Sequence, residues 1–141
     1  MNTLYLVRHG ENLANITKEF SCRKVDYPLT EKGRLQSELT ARYFSAVPLD
    51  AVISSPLLRA RQTAEPIARA HGLSVTVVED FREVNVGALE DSPPDEAAWD
   101  IYHAVSRDWA AGVRDTAFPG GENWHSLHAR MRRGLESVFA G

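Results

Sequence analysis

The sequence predicts an α/β fold, and three observations carry that prediction. Leu4-Tyr5-Leu6-Val7 is an apolar run of strand formers that stops abruptly at Arg8-His9-Gly10. Two further short apolar runs follow, Leu49 to Ser54 and Ser74 to Val78. Between and after them lie longer stretches with helix starts, helix stops and apolar residues recurring every three or four positions.

Composition bounds what such a fold can do. The 141 residues suffice for one domain with a real core. A hydrophobic share of 43% and a charged share of 25% belong to an ordinary soluble protein rather than a disordered one. No apolar run approaches membrane-spanning length, and the first residues read as a core strand rather than a signal peptide, so no membrane partner is expected. The net charge of -3 argues against nucleic acid as a general partner. An anionic ligand would therefore need a local positive pocket. The single cysteine, Cys22, permits no intrachain disulfide and fits a reducing, cytoplasmic setting. It sits in a polar turn with no histidine nearby, so thiolate catalysis is not expected.

The first strand should be buried on both faces and end at Val7. Gly10 then lets the backbone turn sharply or approach a ligand. Arg8 and His9 thus fall at the carboxyl end of a strand, where open α/β sheets place their ligands. A permanent cation beside an imidazole there suggests an anion site with a nucleophile or a general base. Leu13 to Val25 reads as irregular and polar, with Phe20 as its buried anchor. Thr30 should cap a helix running to about Phe44, with Leu35, Leu39, Tyr43 and Phe44 near one face.

The second strand spans Leu49 to Ser54. Ser55 is placed to cap the next helix and Pro56 to open it, with Pro66 set to kink it or begin another before His71-Gly72 ends it. The third strand is Ser74 to Val78. After the Pro93-Pro94 break, Trp99, Tyr102, Val105 and Trp109 form a helical stripe that suits core or a lid. The last helix should run from about Trp124 to Phe139, with Leu127, Met131, Leu135 and Val138 on its apolar face. His125 and His128 have metal-compatible spacing there, but no third ligand is evident, and neither a metal nor any other cofactor is expected.

Four segments together resemble the histidine phosphatase superfamily, the phosphoglycerate mutase-like fold. They are Arg8-His9-Gly10-Glu11 followed by Asn15; the Asp26-x-Pro28-Leu29-Thr30-x-x-Gly33 pattern; Ser54-Ser55-Pro56-Leu57-Leu58-Arg59-Ala60-Arg61-Gln62-Thr63-Ala64; and Glu83 with Gly87 and Glu90. Pro119-Gly120-Gly121-Glu122 also recurs in relatives. The resemblance implies a three-layer α/β/α domain with a mostly parallel sheet. It implies that His9 is phosphorylated, that Arg8, Asn15 and Arg59 hold phosphate oxygens, and that Glu83 donates a proton to the leaving group. Burial beside phosphate should raise the pKa of Glu83 for that task. Arg61 is peripheral by the same alignment. Arg23 and Lys24 stand where relatives have a glycine in a loop at the site entrance. They bear either on substrate choice or on nothing beyond a solvated basic turn.

The resemblance covers residues 1–141 as a single domain, but only the N-terminal part of the family's domain. Relatives continue into a strand ending in a second catalytic histidine, and this sequence ends at Ala140-Gly141 where that strand should begin. An exposed sheet edge is expected, which association between copies would repair. A polypeptide of these residues alone should have severely reduced catalysis. The implied partner is a small phosphorylated metabolite. The implied chemistry is hydrolysis of a phosphomonoester, with mutase-type isomerisation and phosphate binding without turnover as alternatives.

Overall fold

The computed structural model describes residues 3–140. Its helices are α1 (Leu13–Thr17), α2 (Glu31–Phe44), α3 (Leu58–Ala70), α4 (Glu96–Ala110) and α5 (Trp124–Phe139), and its strands are β1 (Val52–Ser54) and β2 (Val75–Val77). The two strands pair in parallel, with Val52 opposite Val75 and Ser54 opposite Val77. β1, α3 and β2 therefore form one βαβ unit, and the fold is mixed α/β with a parallel sheet. Among the described residues no helix is long and apolar enough to cross a membrane.

The expected first strand is not a strand here. Residues 3–11 adopt no regular element, and Leu4, Tyr5, Leu6 and Val7 are 51, 45, 87 and 44% exposed. Apolar β-formers make a strand only when a neighbour accepts their backbone hydrogen bonds, and the described residues supply none to residues 4–7. The loop after it is more regular than expected. Asn12 and Asn15 form a reciprocal capping box at the start of α1, with amide-to-side-chain bonds of 3.2 and 3.0 Å.

Thr30 caps α2 as expected, its hydroxyl accepting from the Gly33 amide at 3.0 Å. The buried face of α2 is not the predicted one. Leu35, Leu39 and Tyr43 are 61, 52 and 69% exposed, while Gly33, Ser37, Ala41 and Phe44 are buried. Small residues on that face let α3 approach closely, and Ser37 adds a specific bond. Pro66 has no N–H for the carbonyl of Gln62, one turn back in α3. The Ser37 hydroxyl lies 3.1 Å from that carbonyl and 3.1 Å from the carbonyl of Thr63. The helix consequently runs through Pro66 unbroken. Ser37→Ala should cost about 1–3 kcal/mol by orphaning a buried carbonyl, read as a drop in the chemical-denaturation midpoint at constant slope.

Ser55 does not cap α3, which begins two residues later than expected. The first helical amide, that of Leu58, instead takes Asp26 Oδ1 at 2.8 Å. Asp26 thus fixes the loop before α2 to the start of α3. Gly72 ends the helix with φ +65, as a C-terminal glycine does. His71 Nε2 pairs with the Phe44 carbonyl at 3.0 Å, which is a structural role.

Two apolar clusters form. One joins Ala41, Phe44, Val52, Ala64, Ile67 and Ala68. The other joins Phe20, Cys22, Val86, Leu89, Ala98, Val105 and Phe118, with Trp99, Tyr102 and Trp109 packed against it. The α4 stripe is therefore core, and Phe20 is the anchor the sequence suggested. On α5 the buried residues are Arg130 and Gly134, whereas Leu135 is 39% exposed. Helix and neighbour meet closely at Gly134, since an added Cβ would lie 2.5 Å from Phe81 Cε1.

Candidate active site

One cleft of about 300 Å³ is lined by all five predicted site residues, Arg8, His9, Asn15, Arg59 and Glu83. Phe20, Trp99 and Tyr102 wall it, and Lys18, Glu19, Ser21 and Cys22 complete much of the lining. Among the described residues His9 is the one histidine on the cleft.

His9 is held at its other nitrogen. Nδ1 lies 2.7 Å from the Gly10 carbonyl, which can only accept, so Nδ1 carries the proton and Nε2 keeps its lone pair. Burial lowers the pKa of His9. The Gly10 bond works against this, while the charges of Arg59 and Arg8 lower it further. The imidazole is therefore kept neutral, as a nucleophile must be.

The segment carrying His9 is tied to α3 through Thr63. The Gly10 amide donates to Thr63 Oγ1 at 3.0 Å, and that hydroxyl donates to the Arg59 carbonyl at 2.7 Å. One turn of α3 thus links nucleophile and arginine. Thr63 was not singled out from sequence; its four-residue spacing from Arg59 was the available signal. Gly33 serves the same segment, because a Cβ there would overlap the Glu11 carbonyl. The Asp26-to-Gly33 pattern therefore works as scaffold, seating the Arg8-to-Glu11 loop against α2 and α3.

Arg59 is only 4% exposed. Its Nη1 and Nη2 each donate 2.9 Å bonds to Ser21, at the hydroxyl and the carbonyl. The remaining N–H donors of the fork are left for a ligand. Burial lowers the pKa of Arg59, and neighbouring Glu83 and Asp26 oppose that. Asn15 spends its amide oxygen on the Asn12 amide, so its NH₂ group is what it can offer the cleft. Arg8 is exposed and has no hydrogen bond or ion pair among the described residues.

Glu83 departs from expectation in one respect. Its side chain is 49% exposed rather than buried. Oε2 lies 3.6 Å from Arg59 Nη2, an ion pair too long for a hydrogen bond, and Oε1 accepts from the Val84 amide at 2.9 Å.

The neighbouring loop is shaped by Glu90, a role the sequence did not disclose. Its carboxylate accepts the amides of Cys22, Arg23, Lys24 and Val25 at 2.8 to 2.9 Å and the Cys22 thiol at 2.9 Å. Burial opposes its ionisation, but the thiol and the amides outweigh burial and hold its pKa at about 2. Burial and the same carboxylate push Cys22 up to about 12, so its thiol is inert at neutral pH. Because the Glu90 pKa is depressed, its contribution is present above about 4.5 and fades as pH falls toward 2. Glu90→Gln should speed amide exchange of residues 22–25 by about tenfold at pH 7, measured by NMR. Arg23 and Lys24 are exposed and neither lines the cleft; Lys18 is the lysine that does.

The family model for the histidine phosphatase superfamily (branch 1) matches residues 4–140. A protein named probable phosphoglycerate mutase GpmB, from Yersinia pestis (strain Pestoides F), is 36% identical over 144 residues, covering 99% of this chain. The chain spans 64% of that relative's length. Alpha-ribazole phosphatase from Shigella flexneri superposes with a TM-score of 0.73 at 28% identity, over 94% of this chain and 64% of that one. Mycobacterial glucosyl-3-phosphoglycerate phosphatase gives 0.74 at 28% identity, over 94% and 61%.

Proposed function

Because the chain belongs to the histidine phosphatase superfamily, branch 1, we propose that its cleft moves the phosphoryl group of a small phosphomonoester onto His9 and then onto water. The observation that carries this reading is the 2.7 Å contact between His9 Nδ1 and the Gly10 carbonyl, which leaves Nε2 available in a cleft shared with two arginines and a carboxyl group.

The reaction runs in two displacements. The Nε2 lone pair attacks phosphorus in line, the N–P bond forms, and the P–O bond to the leaving group breaks. Arg8, Arg59 and the Asn15 amide hold the phosphoryl oxygens, for which the planar guanidinium fork is well suited. Glu83 gives its proton to the leaving oxygen. In the second step Glu83 takes a proton from water, the water oxygen bonds phosphorus, and the N–P electron pair returns to Nε2. Neither step calls on a metal or another cofactor, and the setting is a cytoplasmic one.

A second reading, a phosphoglycerate mutase-type isomerase, is favoured by the name of the curated relative. Against it, the chain is compact between its motifs and shows no inserted segment. A third, phosphate binding without turnover, draws on the cations of the cleft, Arg8 and Arg59, which would hold a phosphate whether or not turnover follows. A panel of phosphomonoesters given to the full-length natural polypeptide separates the three. Release of inorganic phosphate from a sugar or alcohol phosphate is expected. Isomerised phosphoglycerate without phosphate release would establish the mutase, and saturable phosphate binding with no product would establish the binder.

A further inference from the structure

We infer that Arg130 and Glu122 are positioning residues for the proton transfer of Glu83, an inference that rests on the reading of Glu83 as proton donor. Glu83 cannot be fixed by its own side chain, which is half exposed and holds only a neighbouring amide and a long contact to Arg59. Its place is set by the backbone that carries it, and that backbone is gripped on both sides.

Arg130 reaches it from α5. The residue is 8% exposed, and its guanidinium donates to the carbonyls of Asp80 (2.7 Å), Arg82 (2.6 Å) and Glu83 itself (3.1 Å). Nε and Nη2 meet Glu122 in a fork of 2.6 and 2.8 Å. Glu122 in turn accepts the Asn85 amide at 2.8 Å, and its own amide donates to the Asn85 carbonyl at 2.8 Å. The ion pair therefore pins residues 80 and 82 before the proton donor, the carbonyl of Glu83 itself, and residue 85 after it. The neighbouring backbones fit only as glycine: a Cβ on Gly87 would overlap the Pro119 carbonyl, and one on Gly121 the Asn85 carbonyl.

A buried ion pair costs desolvation that its attraction seldom repays, and apolar packing would stabilise at least as well. Here the hydrogen bonds that the two side chains make beyond their own fork all go to the short segment that carries Glu83. Misplacing a catalytic group by about 1 Å can cost 10²-fold in rate. A general acid matters for a poor leaving group and little for a good one, so loss of positioning has a signature that loss of stability lacks.

The test measures leaving-group release in the first turnover of the full-length natural polypeptide, with 4-nitrophenyl phosphate as the good leaving group and glycerol 2-phosphate as the poor one. The burst amplitude with the aryl ester counts folded sites, so rates are read on the folded fraction even in a weakened variant. Glu83→Gln should slow the alkyl ester by about 10²-fold or more and the aryl ester by less than about threefold. Arg130→Lys, which keeps the charge but not the fork, and Glu122→Gln should each slow the alkyl ester by about tenfold and the aryl ester by less than about threefold. The Arg130→Lys, Glu83→Gln double variant should be no slower on the alkyl ester than Glu83→Gln alone. Equal slowing of both esters by Arg130→Lys and Glu122→Gln, or slowing of neither, would overturn the positioning role while leaving Glu83 as donor. Equal slowing of both esters by Glu83→Gln would instead overturn the donor assignment, and the positioning role with it.

Discussion

His9→Ala should reduce phosphate release by roughly 10⁴-fold or more, because it removes the atom to which the phosphoryl group is bonded. Binding of inorganic phosphate should survive within about tenfold, since Arg8, Arg59 and Asn15 remain. In the unmodified protein the His9 ring should titrate below 6.5, because burial and two nearby guanidinium groups disfavour the imidazolium. The sign is specific. Only the neutral ring has a lone pair at Nε2, so a lowered pKa keeps the nucleophile competent as pH falls through 6.5, and competence is lost at a lower pH. An NMR titration of the ring gives the midpoint directly, and a midpoint at or above 6.5 would remove the electrostatic part of the account.

Arg59→Ala should be nearly as damaging, by a different route. If the free donors of Arg59 make two charge-assisted bonds to a phosphoryl group, at about 1.5–3 kcal/mol each, the loss is about 10²–10⁴-fold in kcat/KM. Arg59→Lys restores a charge but not the fork, and should recover only a small part. Arg59 also bridges to Ser21 through two 2.9 Å bonds, so Arg59→Ala should loosen the 18–22 segment as well. Phosphate affinity by calorimetry, compared with the thermal midpoint, distinguishes the two effects. A large fall in the midpoint with unchanged phosphate affinity would make Arg59 a structural residue.

The residues whose type announces chemistry were legible in the sequence. Arg8-His9-Gly10 stood out because a cation, an imidazole and a glycine follow an apolar run, and Arg59 and Glu83 stood out through the motifs around them. Helix starts were legible where the cap is local, as at Thr30. They were not legible where it is remote: Asp26 caps α3 from 32 residues away. The buried face of α2 was misjudged because periodicity counts apolar residues, whereas the contact with α3 was settled by small residues and by the donor that Pro66 leaves its neighbour lacking. The first strand was misjudged because a strand is a relation between two chain segments, and no composition states whether the second segment is there. The roles of Thr63, Glu90, Glu122 and Arg130 were not legible for a related reason. Each bonds at least one backbone group distant in sequence, and apart from the four-residue step from Arg59 to Thr63 those bonds leave no spacing to read.

These four residues also explain why a half-exposed carboxyl and a loop-borne histidine can hold a defined geometry. Thr63 joins the His9 loop to Arg59, Glu90 shapes the loop that Arg59 is bonded to, and the Arg130–Glu122 pair fixes the segment bearing Glu83. The site is thus a set of side chains mounted on backbones that are individually tied, rather than on one rigid sheet.

The most direct test of the central claim is chemical. The full-length natural polypeptide is mixed with a ³²P-labelled phosphomonoester, quenched in alkali within the first turnover and mapped by proteolysis. The account predicts an acid-labile, alkali-stable label on His9 that appears with the leaving group and decays as inorganic phosphate is released. Phosphate release with the label on any other residue, or with no labelled protein at any time in the turnover, would contradict it.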